Sequence, residues 1–531
     1  MGAAAILDGS IVRLGDQYVL GLRATHCQTG ALIDAEQVQF AHKEELLDAL
    51  SRIASKFRTR VGESLASVKN RDTPLAEATT PSLEALKAYS AGVKTLGSSG
   101  STTALPFFRR ATELDPQFSI AHAWLSRMYG DLGLDDLSVL SARRAFQLRD
   151  HASERERFFI DASYNILATG DLAKAQEICD AWAQAYPRDS SPHGFLSGLI
   201  YPPFGRYEEG RREAKKMIEL APDLFVGYMN LVSNDLALGQ FDDADLVLQN
   251  ASSRKLVGIN YPLDRYILAF LRADETGMKN SASEVEKMQG SAPWMIMMQA
   301  YTFAYSGQFH RAHEELRREN VFTRQDSPAQ FAAYNNAVSA MIEAHSGDRE
   351  SAWQHGLASL KLSRNKDSSY LAAYALGLAG DILHVREVAD HLEKHFPMDT
   401  KIRLRQVPTL RALVALNQQN PAEALELLQL AAPIELGGIP DAVYIRGNAF
   451  LALGRGREAA VEFQKIIGHR GILINEPTGA LALLQIARAY ALSGEITRAK
   501  IAYEQFLNLW QNADPDIAIL RQARREYSAL R

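Results

Sequence analysis

The sequence predicts an all-α superhelical solenoid of helix hairpins, preceded by a small α/β segment of three strands plus one helix. Three observations lead there. Small and apolar residues recur through residues 82–512 with a period of ~34 residues. The stretch before them favours strands and turns instead. The chain has 531 residues, too many for one compact core, since a domain usually runs ~100–200.

The α/β segment occupies 1–69. Ile11, Val12, Tyr18, Val19, Leu20 and Leu22 are β-favouring, and Gly15-Asp16 interrupts them as a turn. A second break at Thr29-Gly30 precedes a third apolar–polar run, 31–40, giving a three-stranded meander. A helix follows near 42–69, where Leu46, Leu50, Ile53, Phe57, Val61, Leu65 and Val68 form one stripe at spacings of three and four. That stripe suits it to cover one face of the sheet. Residues 70–81, with Pro74 and Pro81, form a linker.

The clearest repeat runs from Ala85 to Phe118. It places Gly92, Ala104, Phe108, Ala111 and Pro116 at its eighth, twentieth, twenty-fourth, twenty-seventh and thirty-second positions, the pattern of a tetratricopeptide unit. The small residues let two helix backbones approach, and the proline stops the second helix. A unit from Ser191 repeats the pattern with Gly198, Tyr201, Gly205 and Pro222, Gly210 standing in for the usual Ala. Late units carry Gly447, Gly454, Ala459 and Phe463, then Ala487, Tyr490, Gly494 and Ala499. Roughly twelve units fit, where about three suffice for stability. The segment 119–155 is off-register, and 255–290 is degenerate. Residues 513–531 open on Asp514-Pro515 and continue as a charged amphipathic helix, suited to cap the array.

Composition excludes several classes. Hydrophobic residues make up 47% and charged residues 23%, ordinary for a soluble chain, and the net charge of −5 gives no reason to expect nucleic acid. Two cysteines, Cys27 and Cys179, exclude a disulfide scaffold and a four-cysteine zinc site. The longest uncharged stretch, 288–309, is broken by Gln, Ser and Pro and falls short of a bilayer span of ~20 apolar residues. The N-terminus has no basic region and meets Asp8 too early for a secretory signal, so the cytoplasm is the expected compartment.

Further runs carry a family resemblance. Gly15-Asp-Gln-Tyr-Val19, Cys27-Gln-Thr-Gly30, Gly62-Glu-Ser-Leu65, Thr79-Thr-Pro-Ser-Leu-Glu-Ala-Leu-Lys-Ala-Tyr-Ser90, Ser153-Glu-Arg-Glu-Arg157 and Ala513-Asp-Pro-Asp516 resemble the tetratricopeptide tails of large bacterial signalling proteins, notably eukaryotic-like serine/threonine kinases of acidobacteria. The run at 79–90 is the most specific part. The resemblance implies a partial TolB-like α/β piece leading into the repeats, with a kinase or DNA-binding module upstream. Here there is no glycine-rich nucleotide loop, no His-Arg-Asp and no Asp-Phe-Gly, so no kinase residue carries over. The chain then reads as a stand-alone tail or as a piece of a longer signalling enzyme, and behind a membrane span it would be extracytoplasmic.

No catalytic constellation stands out. His391-Leu-Glu-Lys-His395 puts two histidines on one helix face, but a zinc protease needs its glutamate beside a histidine and Glu393 sits between them. His310 and His313 have no third ligand nearby in sequence. No Walker A loop or G-x-S-x-G occurs, and the basic pairs Arg211-Arg212 and Lys215-Lys216 are balanced by Glu208, Glu209 and Glu213. No cofactor and no metal are expected.

The informative surface is the concave groove lined by the first helix of each unit. The registers place Trp294, Met297, Tyr301, Tyr334, Tyr370 and Tyr374 there, either to anchor a peptide or to pack between helices. Asn448 and Arg488 take the ninth position of successive late units, where they could grip a peptide backbone or carboxylate. The expected function is a non-catalytic protein-binding scaffold, the docking or sensory portion of a bacterial signalling system. A self-associating assembly protein is the other class to test.

Overall fold

The computed structural model describes residues 5–27, 29–60, 79–256, 260–288, 292–319 and 328–530. Strands β1 (Ala5–Leu14), β2 (Gln17–His26) and β3 (Leu32–Phe40) form an antiparallel sheet in that order. Helix α1 (Leu46–Arg60) lies over β2 and β3, burying Ala49 and Ile53 against Leu20 and Phe40. The register explains why β1 stays open: Ile11 and Leu7 pair with Leu20 and Ala24 on the covered face, yet α1 does not reach them, and they are 52% and 58% exposed. The expected helix beyond residue 60, the run 62–65 and most of the expected linker lie outside the described residues.

Helices then pair into twelve hairpins among the described residues. The first four pairs are α2 (Leu83–Ser99) with α3 (Ser101–Leu114), α4 (Ser119–Asp131) with α5 (Asp135–Gln147), α6 (Glu154–Tyr164) with α7 (Leu172–Ala185), and α8 (Ser191–Phe195) with α9 (Tyr207–Leu220). Next come α10 (Phe225–Ala237) with α11 (Phe241–Ser253), α12 (Asn260–Leu271) with α13 (Glu275–Glu286), α14 (Ala292–Tyr305) with α15 (Phe309–Glu319), and α16 (Pro328–Ser346) with α17 (Arg349–Leu362). The last four are α18 (Lys366–Ala379) with α19 (Ile382–His395), α20 (Val407–Asn417) with α21 (Pro421–Leu427), α22 (Asp441–Ala452) with α23 (Gly456–Gly468) and, after the short α24 (Arg470–Leu473), α25 (Pro477–Leu492) with α26 (Ile496–Leu509). Helix α27 (Ala518–Ala529) ends the array. The fold is a tetratricopeptide-type solenoid of helix hairpins behind a small α/β segment.

Local chemistry accounts for the hairpins. Each turn within a hairpin passes through a left-handed residue; glycine fills ten of these turns, and Ala273 (φ 55°) and Gln419 (φ 61°) fill the other two. The residue after the turn often caps the second helix, as Asp171, Asp348 and Asp381 accept from backbone N–H groups three residues on. Small residues at the eighth position let a ring sit over the backbone: a Cβ on Gly92 would press on Phe108, and one on Gly447 on Phe463. The off-register stretch 119–155 forms the hairpin α4–α5 followed by a capping box at Ser153 and Glu156. In the degenerate stretch 255–290, residues 260–286 still form a hairpin, with Ala273 where glycine is the rule.

The run at 79–90 acquires a physical role. Thr79 Oγ1 donates to Glu156, Thr80 Oγ1 donates to the buried Asp115, and Ser82 caps α2. Arg155 in turn pairs with Asp189 at 2.6 Å, and Asp189 accepts from Trp182 Nε1. Two sequence runs that stood out together are thus bonded together.

Hairpins distant in sequence also touch. Thr400 N donates to Gly170 O, Leu172 N to Thr400 Oγ1, Tyr207 OH to Leu436 O, Trp510 Nε1 to Tyr305 O and Asp514 N to Gly307 O. Such contacts link residues 177 to 230 apart, about six repeats of ~34, so the turns of the superhelix rest on one another. At Gly437 and Gly471 the backbones meet so closely that a Cβ would overlap the carbonyls of Pro203 and Leu236. Over 292–492 the first helices of successive hairpins close on themselves, since α16 packs on α18 and on α25, and α14 also reaches α25.

Candidate functional site

Closure decides what the groove holds. Of the groove residues named from sequence, Met297, Tyr370 and Tyr374 are buried in the largest core cluster, and Trp294, Tyr301 and Tyr334 pack half-buried against it. Met297, Tyr370 and Tyr374 therefore pack between helices, while Trp294, Tyr301 and Tyr334 keep part of their rings exposed. Asn448 is half-buried, and Arg488 is engaged by Glu526 at 2.9 and 3.1 Å. The eight residues do not line one open channel.

Inside the ring the inner helices enclose a polar seam. Tyr370 OH donates to Asp441 Oδ2 at 2.9 Å, and Arg405 Nη1 donates to Gly437 O at 2.7 Å. Thr478 Oγ1 lies 3.3 Å from His345 Nε2, beside Glu476. Burial pushes the Asp441 carboxyl up to about 6, against the pull of Arg405. Burial, with the Asp441 charge added, raises Glu476 to about 8, while burial lowers His345 to about 4. The Tyr374 hydroxyl and Glu476 Oε1 have no hydrogen-bond partner. Chemically the seam is a closed interior in which burial disfavours charge on Glu476, Asp441 and His345.

An open cavity lies elsewhere. A cleft of about 880 Å³ lies between α15, α16, α17 and the segment 514–518. Its floor is Glu343, with only 4% of its side chain exposed, held between His313 Nε2 at 3.1 Å and His355 Nδ1 at 2.8 Å. Burial would raise the Glu343 carboxyl, but the two imidazoles beside it hold it below the usual range. The same contact raises His355. On the rim His310 Nδ1 faces Asp514 Oδ1 at 3.3 Å, and its backbone N–H donates to Asp514 Oδ2 at 2.9 Å.

Sequence reading flagged His310 and His313 and found no partner near them, because the partners come from 343–355 and 514–516. Their one local signal was the spacing of the two histidines on α15. Even so, no cluster of three or more His, Cys, Asp or Glu among the described residues is placed to hold a metal ion. At 391–395 the two imidazoles stack at 4.2 Å while Glu393 pairs with Arg411. No described helix is long and apolar enough to cross a membrane.

No family model matches the chain, and no curated protein matches it. Solved structures do. The chain is similar to the P58(IPK) TPR domain at 15% identity, covering 84% of this chain and 98% of that one, with a TM-score of 0.19. It is also similar to yeast Tom70 at 14% identity, covering 84% and 95%, with a TM-score of 0.31. The fold assignment rests on the hairpins themselves.

Proposed function

We propose that this chain is a non-catalytic scaffold that holds a protein partner, working as the docking or sensory portion of a bacterial signalling system. The observation that carries the reading is the architecture: an extended stack of hairpins whose inner seam is closed and whose open cavity is a polar binding cleft. Repeat stacks of this kind present extended surfaces rather than a single reaction centre. The resemblance of residues 79–90 and 153–157 to signalling-protein tails supports the signalling context. The test is affinity capture with the purified chain, comparing wild type with Trp294→Ala/Tyr301→Ala and with a cleft variant, each of unchanged circular dichroism. Partners lost by one variant are expected. Heat-labile kinase or hydrolase turnover that a single substitution abolishes would overturn the reading.

The open β1 edge favours a second reading, self-association through the sheet. An exposed apolar edge strand is a template for pairing, and Ile6, Leu7, Ile11, Val12 and Leu14 are all exposed. Light scattering decides: mass that rises with concentration, and that Ile11→Lys keeps monomeric, supports it.

A further inference from the structure

The cleft carries a charge imbalance. Glu314, Glu343, Asp348, Asp514 and Asp516 face one guanidinium, Arg317, and three imidazoles, His310, His313 and His355, so carboxylates still outnumber the bases. Among these groups stands Asn335, which lines the cleft, is 5% exposed and has no hydrogen-bond partner for its Oδ1. A buried acceptor left without a donor is destabilising, and a ligand N–H would satisfy it. Phe309, Leu316 and Ile517 add an apolar wall, which suits the aliphatic stem of a long basic side chain. The cleft also exceeds the needs of a single small cation: about 880 Å³ is the scale of a drug-sized ligand or a short peptide stretch.

We infer that this cleft is the docking site for an arginine- or lysine-bearing segment of a protein partner. Asp516 and Glu314 draw the basic side chains in from the rim, Asp514, already held by His310, adds to the field, and Asn335 Oδ1 accepts a hydrogen bond from one of them at depth. Glu343 is already held by His313 and His355, so it contributes field rather than a free oxygen. The inference rests on the scaffold reading and names the chemistry of its partner.

The probe is a fluorescein-labelled heptapeptide of alternating alanine and arginine, followed by anisotropy against the full chain. Asp516 is 67% exposed and Glu314 is exposed, so Glu314→Gln/Asp516→Asn removes rim charge without touching the core. A control of equal charge change, Glu387→Gln/Asp390→Asn, sits on α19 outside the cleft. Expected are binding by wild type, affinity about tenfold weaker in the rim variant and several-fold weaker in Asn335→Ala, and no change in the control. A glutamate version of the peptide should not bind.

Absent binding, or equal weakening by the control pair, overturns the inference. So does displacement by spermine at matched charge, which would give the cleft to small cations. Any of these leaves the scaffold reading standing if affinity capture still yields a partner, so the two failures are distinguishable.

Discussion

The hairpins of 83–286 and those of 292–530 are built from the same repeat, yet they bury their apolar surface differently. The early hairpins divide it among separate clusters, one around Trp182 and Phe195, another around Phe108 and Met128, a third around Leu236 and Leu268. The late hairpins share one continuous cluster from Met297 to Ala523. The difference lies in the first helices: in the late half they turn inward far enough for α16 to meet α25, so surface that a wider superhelix would leave as a groove becomes core. Repeat chemistry fixes the hairpin, whereas the small rotation from one hairpin to the next decides between groove and core.

The sharpest way to break this comparison is to pry the superhelical turns apart. Gly437→Ala or Gly471→Ala forces a Cβ into a backbone carbonyl. Each should destabilise by about 3 kcal/mol, read as a lower urea midpoint, because neither backbone can yield alone. An early-half counterpart is Trp182→Ala, which removes a ring packed on Phe158, Phe159 and Phe195 and should cost ~3–5 kcal/mol within the early hairpins. Limited proteolysis should then cut near 154–200 before it cuts the late half.

The buried seam gives the late half a pH profile of its own. Asp441 and Glu476 have folded values raised from 3.8 and 4.5, so their protonated forms favour the fold, and stability falls as pH rises from those values to about 6 and about 8. His345 is lowered, so stability also falls as pH drops from 6.5 toward about 4. A thermal midpoint several degrees lower around pH 9 than around pH 6 is expected, and Glu476→Gln should flatten that alkaline slope. Loss of the slope in Trp182→Ala instead would misplace its origin.

A smaller effect, of opposite sign, tests the turns. Ala273 and Gln419 hold left-handed backbone that glycine adopts without penalty. Ala273→Gly and Gln419→Gly should each stabilise by up to about 1 kcal/mol, because relief of a ~1–2 kcal/mol strain outweighs the added freedom of the unfolded chain. Destabilisation in denaturant melts would show that the strain is absent.

What was legible in the sequence follows from range. Gly92 above Phe108 and Gly447 above Phe463 lie sixteen residues apart within one hairpin, so the repeat was visible residue by residue. Ala273 hid a hairpin because it carries no turn signal. Tyr370 and Tyr374 sat at the positions that line a groove in an open superhelix, but the group that meets Tyr370 is Asp441, 71 residues on. Glu343 reached His313 and His355 only through the packing of α15, α16 and α17. Closure and cleft both depend on contacts between hairpins, and no local pattern encodes the angle at which one hairpin meets the next.

Hydrogen–deuterium exchange measures that closure most directly. Peptides from α18 and α25 in the ring are compared with peptides from α10 in the early half. If the inner face of the late hairpins is core, 366–379 and 477–492 exchange only through global opening and stay protected far longer than 225–237. Exchange of 366–379 as fast as 225–237 would mean that the late groove is open in solution, contradicting the account.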